Sequence, residues 1–526
     1  MKEKGTGEPR DDEPRTVASK HGADATHGAD ATHGASASPD VVASPDVVSS
    51  PGAVSSSGVT STLDATSAHG ALRSPADSSM RGGAWRTNAL LLVLGLASLA
   101  LYRYGLGFDK AHNIQIVWFL KIALGQCALY ALAAWLVWRA RGRRSTLLLV
   151  FVCAALFRLS VLFAPPFLSD DVYRYVWDGR VQAARINPYR HVPAADELRF
   201  LRDAEVYPNI NRRDYAQTIY PPVAQMIFFL TTRVSERVVW MKAVLVLFEA
   251  AGLCALAVLL ASFKLPPQRV LLAAWHPLAV WEIASSGHLD ALVICFIAFA
   301  LLAHRHERES LTGVLLAAAV LVKLFPLVLL PAFYRRGSWR LPLAFAVTLA
   351  VGYLPYLSVG ARRVLGFLPG YASEEGLQSG ARFFLLQLAR GLFGEARVPS
   401  AAYVVFAVLV LGALALWCWL KSEAGERDYV VRASLLATVF TVLLSPHYTW
   451  YFAWLVAFLC FASARSLVPL LCLTCTAFVL YGTWLGDAPA QMLRINLSIY
   501  LPPAVLLIIC YRRRVARAFG RFSVAT

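Results

Sequence analysis

Between Ser169 and Arg180 the chain reads SDDVYRYVWDGR, which places two carboxyls, Asp170 and Asp171, side by side. If 170–186 is helical, Asp171, Arg174, Tyr175 and Asp178 recur at i, i+3, i+4 and i+7 and share one face. Such a pair can do proton chemistry: one carboxylate takes a proton from a hydroxyl while its neighbour holds Arg174 or a substrate. A structural role is open for the same residues. Ser169 suits an N-cap, and acids in a first turn complement the helix dipole.

Four further features carry related chemistry. Tyr220-Pro221-Pro222 is a rigid lead-in to a 13-residue apolar piece, too short to span a bilayer and suited to an interfacial or re-entrant helix. Glu282 and the turn Ser286-Gly287-His288-Leu289-Asp290 join two apolar runs, where ionisable groups are costly and therefore point to function. His288, two residues from Asp290, suits substrate contact or a hydrogen bond within the fold. Lys323 interrupts an apolar run at KLFP and suits a phosphate or carboxylate partner, unless it only snorkels to the interface. The turn SPHYTWY at 445–451, with His447 and Tyr448, is able to stack on a sugar or to sit in an interfacial aromatic belt.

The elements that position these groups are apolar runs of the length a bilayer core demands. They fall at 88–102, 114–138, 145–164, 238–263, 269–284, 289–304, a broken pair within 311–333, 341–358, 400–420, 429–445, 450–464, 467–484 and 496–511. The fold class is an all-α polytopic membrane protein of about 12–14 transmembrane helices. Composition agrees. Of 526 residues 57% are hydrophobic and 16% charged, against about 25% charged in soluble domains, and mean hydropathy is +0.53. A cytosolic enzyme is excluded.

The net charge of +17 divides into −3 for residues 1–87 and +20 for the remainder. That surplus lies between apolar runs, where it sets topology, and forms no continuous basic face for nucleic acid. The clusters at 139–144, 264–269, 305–308, 335–340 and 512–521 are expected on the cytoplasmic side. They agree only if 311–333 enters and leaves on the same side, turning at Lys323–Pro326. Both termini are then cytoplasmic, and 165–237, 359–399 and 485–495 face outward. The loop 165–237 is the outlier, holding nine of the 22 acidic residues found after residue 87. Loops of this kind usually carry function.

Residues 1–87 repeat HGADAT at 21–26 and 27–32, degenerate to HGASAS, and continue as PDVVAS and PDVVSS. Such a segment has too few apolar residues to offset the entropy of ordering, and a disordered cytoplasmic tail is expected. The domain plan is therefore this tail, a transmembrane catalytic domain at 88–511 with its loop at 165–237, and a basic cytoplasmic tail at 512–526. All nine cysteines lie in apolar stretches and are expected as buried thiols; the CxxC at Cys472 and Cys475 has no second pair.

The ordered set SDDVYRYVWDGRVQAARINPY, YPP, WHPLAVWEIASSGHLDAL, KLFPLVLLP and SPHYTWY resembles bacterial GT-C glycosyltransferases over about 145–465. Within them it is similar to the polyprenyl-phosphate-mannose-dependent mannosyltransferases of glycosyltransferase family eighty-seven and its relatives. The tail and the two spans at 88–138 depart from that group. The resemblance implies a GT-C bundle in the cell (inner or plasma) membrane, with an extracytoplasmic acidic loop. It implies transfer of a hexose, mannose in that group, from a polyprenyl-phosphate-linked donor to a glycan or glycolipid acceptor. The base would be Asp170 or Asp171. Substrate would meet Arg174, Tyr175, Asp178, Arg180, Tyr220, Glu282, His288, Asp290, Lys323, His447 and Tyr448.

The chemistry is coherent without the name. No loop exceeds about 75 residues, too few for a nucleotide-binding domain of about 100–150. A lipid phosphate is already a good leaving group, whose charge Arg174, Arg180 or Lys323 can meet. No metal and no cofactor are expected, and the course is one displacement with inversion. The competing class is a transporter or flippase of a lipid-linked sugar, which would share broken helices and intramembrane charges. Against it, the chain shows no repeated half, and its polar groups gather towards one face.

Overall fold

In lipid a backbone must close its own hydrogen bonds, and these apolar runs do so as helices. The structure, a computed structural model, describes residues 75–107, 113–140, 143–374, 376, 380, 382–421, 425, 427–486 and 488–522. The N-terminal repeats lie outside them. Every regular element among the described residues is helical and none is a strand.

Helix α1 runs over Pro75–Gly105, so it begins ahead of the first expected span. It is followed by α2 (Asn113–Arg139) and α3 (Arg144–Leu162). Two short helices occupy the acidic loop: α4 (Asp171–Ala183) and α5 (Pro222–Val234). After α6 (Val238–Ser262) the chain from Pro267 to Ser285 is helical only in pieces, interrupted at His276-Pro277 and ending in a π-helical turn. Then come α7 (Asp290–Arg305) and α8 (Glu309–Val320), a broken return from Phe325 to Phe333, and α9 (Arg340–Tyr353). The remainder includes a short helix at Phe384–Phe393, α10 (Ser400–Leu420), α11 (Asp428–Leu444), a short piece at 449–459, α12 (Ala464–Thr476) with a 3-10 continuation to Leu485, and α13 (Pro489–Phe522).

By length and composition, eight helices among the described residues suffice to cross a membrane. The other expected spans are shorter or broken at proline, which removes a backbone donor. The basic stretch after Arg512 continues α13 as far as Phe522.

The basic connections gather at one end of the bundle. Arg269 lies over the Trp138 ring at 4.0 Å, Arg305 donates to the Ser262 carbonyl at 3.5 Å, and Arg335 pairs with Glu307 at 3.4 Å. Arg336 donates to the Leu420 carbonyl at 3.0 Å, and the Ser338 hydroxyl to Glu309 at 2.6 Å. The last contact joins the start of α8 to the residues just before α9. Residues 309–338 therefore leave this end and return to it, as the Lys323–Pro326 break requires.

The acidic loop occupies the opposite end. Asn187 donates to the Tyr356 carbonyl at 2.8 Å, Arg212 pairs with Glu374 at 2.7 Å, and the Tyr371 and Tyr451 hydroxyls meet at 3.0 Å. Between the ends, one buried ion pair crosses the core. Arg158 Nε donates to Glu249 at 2.8 Å, a second bond joins the same two groups, and Nη1 donates to the Ala274 carbonyl at 2.7 Å. It ties α3, α6 and the broken segment together where lipid offers no other partner.

Candidate active site

Three chain breaks build the site. The first is the lead-in to α5. Pro222 occupies the first helical turn, where its missing N–H costs nothing. The next two backbone N–H groups, of Val223 and Ala224, donate to the Leu321 carbonyl at 3.0 and 3.3 Å. Leu321 is the residue at which α8 stops, so the start of one helix satisfies the end of another. This docks the acidic loop onto the break that carries Lys323.

The second is the turn that follows Pro277. The π-helical stretch Val280–Ser285 continues into bonds from Gly287 N to the Ile283 carbonyl and from His288 N to the Glu282 carbonyl, at 3.0 and 2.9 Å. π-turns recur at functional sites. Gly287 has φ +79°, and an added Cβ would lie 3.0 Å from both Val172 and Lys242, so only glycine fits. The turn thereby brings His288 back over Glu282 and starts α7 at Asp290.

The third is the start of α4. Asp170 occupies its N-cap position without a side-chain cap bond, and the Ser169 hydroxyl instead accepts from the Asp171 N–H at 3.2 Å. Close packing holds α4 against α5: a Cβ on Gly179 would lie 2.5 Å from the Phe228 carbonyl oxygen.

These breaks assemble Asp171, Glu282, His288, Asp290 and Lys323 into one cluster. Asp171 Oδ1 accepts from Asn211 Nδ2 at 3.0 Å, and Oδ2 stands 3.8 Å from His288 Nδ1. His288 Nε2 is 3.5 Å from Glu282 Oε2, and Glu282 Oε1 accepts from the Tyr481 hydroxyl at 2.7 Å. Lys323 Nζ donates to Asp290 Oδ2 at 2.5 Å and lies 4.8 Å from the Tyr451 ring. The His288, Glu282 and Asp290 side chains are fully buried, whereas that of Asp171 keeps 21% exposure. Burial pushes the Asp171 carboxyl above the ordinary carboxylate range. The Asn211 bond and the charges of Lys323 and Arg212 act the other way.

The aromatic turn closes one side. His288 stacks on Trp450 at 4.1 Å, and Trp450 on Tyr448 at 4.6 Å. His447 is ring-packed beside Tyr448 at 4.8 Å. Arg212, which has φ 53°, interacts with Tyr448 and Glu374 and keeps its charge, because those partners outweigh the cost of burial. Backbone held in that region often marks a functional site.

Other residues expected to meet substrate hold the loop together. Asp178 accepts from Arg174 at 2.8 Å, from Thr218 at 2.5 Å and from Gln225 at 2.9 Å, and Arg174 also donates to the Ala216 carbonyl at 3.2 Å. Arg180 pairs with Asp203 and Glu236, at 2.8 and 2.9 Å. Tyr175 stacks on Phe228, with the Tyr220 ring against both. These contacts shape 171–236 and leave Asp171 directed at His288. Trp450 lies in the aromatic turn expected to stack, and meets His288 there; Asn211, Arg212 and Tyr481 escaped the sequence reading. They join the site across the chain, and no local spacing marks them. Among the described residues no group of three His, Cys, Asp or Glu side chains is arranged to hold a metal.

Residues 88–335 match the family described as α-(1→6)-mannopyranosyltransferase, N-terminal domain. The match takes in Asp170, Asp171, Asn211, Arg212, Glu282, His288, Asp290 and Lys323. No curated protein matches the chain.

Proposed function

We propose that this mannosyltransferase-type glycosyltransferase takes mannose from a polyprenyl-phosphate-linked donor and transfers it to a glycan or glycolipid hydroxyl on the extracytoplasmic face. The observation that supports this reading best is the cluster itself. A partly exposed carboxyl with a raised pKa stands beside Lys323 and Arg212, at the end of the bundle opposite the basic connections. A general base needs a path for its proton, and Asp171, whose Oδ2 faces His288 and whose pKa burial raises, suits that role, whereas Asp170 sits at the N-cap of α4.

In the proposed step, Asp171 removes the acceptor proton as the acceptor oxygen attacks C1. The C1–O bond to phosphate breaks, and its electron pair leaves on the lipid phosphate. Lys323 and Arg212 offset the charge that develops there. Asn211 holds the Asp171 carboxyl in place, facing His288. One displacement inverts C1. If the bond formed is α-(1→6), as the matched family's description names it, the donor is β-linked.

Residues 88–511 carry the chemistry and 165–237 serve as the catalytic loop. Transport of a lipid-linked sugar gains no support from a match to a transferase domain.

The test is direct. Purified protein in liposomes is given polyprenyl-phosphate mannose or a nucleotide-linked mannose, each with a mannosyl acceptor. Mannosylated product from the lipid donor alone supports the reading. Product from the nucleotide sugar alone overturns it.

A further inference from the structure

Three groups at the centre of the cluster form a line running inward from the partly exposed carboxyl. Asp171 Oδ2 faces His288 Nδ1 at 3.8 Å, and on the far side of the ring His288 Nε2 faces Glu282 Oε2 at 3.5 Å. Neither ring nitrogen of His288 has a hydrogen-bond partner, nor has Glu282 Oε2, and both side chains are fully buried. Unpaired buried polar atoms are rare and call for an explanation. Trp450 stacks on the ring and holds its plane, and the backbone N–H of His288 is bonded to the Glu282 carbonyl, which fixes the turn that carries it. Glu282 is fixed in turn by the Tyr481 hydroxyl.

We infer that Asp171, His288 and Glu282 form a proton relay, in which His288 and Glu282 act through Asp171 and do not touch the sugar. The inference rests on the reading of Asp171 as general base. The acceptor hydroxyl proton passes to Asp171 Oδ2 as the new C1–O bond forms and the C1–O(phosphate) bond breaks. It moves on to His288 Nδ1 while the proton on His288 Nε2 passes to Glu282 Oε2. Atoms and charge balance: Asp171 ends as carboxylate, His288 neutral in its other tautomer, and Glu282 as the neutral acid. Asp171 then holds no proton to return to the new glycosidic oxygen, which disfavours reversal. After product leaves, the transfers run backwards and the exposed edge of Asp171 gives the proton to water. The two gaps exceed a hydrogen bond, and contacts of this kind tighten when substrate is bound.

The charged and titratable groups around the ring come from several elements. Asp170 and Asp171 come from the start of α4, Arg212 from the acidic loop, and Lys323 from the break after α8. Asp290 comes from α7, and Tyr481 from the residues after α12. Glu282→Gln is the principal variant, since it keeps the shape and an acceptor for Tyr481; His288→Gln is the second. Each should lower kcat by about tenfold or more, with the donor KM changed by less than about twofold. Groups acting as one unit are non-additive, so the double variant should cost no more than the worse single one. Wild-type kcat should require both carboxyls ionised and rise steeply with pH; in Glu282→Gln that slope should fall by about one proton.

Combined with Asp171→Asn, neither variant should cost anything further. The relay is overturned if Glu282→Gln keeps wild-type kcat and slope while Asp171→Asn is inactive, an outcome that leaves the base reading intact. It is overturned equally if Glu282→Gln raises KM alone, which would make Glu282 a substrate contact. Near wild-type turnover in Asp171→Asn removes the base reading, and the relay with it.

Discussion

Asp171 Oδ2 and His288 Nδ1 face each other at 3.8 Å, although one residue opens a loop helix and the other ends a turn between two apolar segments. The approach depends on Gly287, whose φ of +79° turns the chain beneath Val172. It depends also on α5, which docks on the broken end of α8. A carboxyl is thereby held at the boundary between a buried polar cluster and the loop.

The acid limb of activity should report this environment. A base works only when ionised, and burial raises the Asp171 pKa, so kcat/KM should fall as pH drops through a value above the ordinary carboxylate range. The Asn211 bond lowers that pKa. Asn211→Ala should therefore move the acid limb to higher pH, as a pH series of kcat/KM will show. An unmoved limb would mean that another group sets it.

The Arg158–Glu249 pair tests the frame behind the site. Glu249→Ala leaves a buried guanidinium uncompensated and should cost about 3–5 kcal/mol. In Arg158→Met combined with Glu249→Leu, much of that loss should return. Thermal unfolding of the detergent-solubilised variants reads both. Equal losses in the single and double variants would show that packing around the pair, and not the charge left behind, governs stability.

Topology follows from the two ends of the bundle. In a background without native cysteines, Asp196→Cys and Arg362→Cys should react in intact cells with a membrane-impermeant thiol reagent, and Arg512→Cys should not. Labelling of Asp196→Cys without Arg362→Cys would mean that 309–338 crosses outright. Labelling of Arg512→Cys alone would put Asp171 in the cytoplasm.

Much of this was legible in the sequence. The apolar runs at 238–263 and 400–420 became Val238–Ser262 and Ser400–Leu420, because length and hydropathy decide a span almost alone. The break within 311–333 was legible from proline and lysine inside an apolar run. The shared face of Asp171, Arg174, Tyr175 and Asp178 was legible as a face, but periodicity does not say what a face meets. Asp171 meets His288 and Asn211, whereas Arg174 and Asp178 meet each other and the Thr218 segment. Partners brought from far along the chain left no local signal. Arg212, Tyr481 and the Arg158–Glu249 pair are of that kind.

The central claim is that Asp171 is the base for mannosyl transfer from a lipid phosphate. The measurement is turnover of polyprenyl-phosphate mannose by Asp171→Asn and Asp170→Asn, beside wild type, at matched membrane insertion. Asp171→Asn should lose at least about 100-fold in kcat with donor KM little changed, and Asp170→Asn should lose much less. Near wild-type turnover in Asp171→Asn would contradict the account.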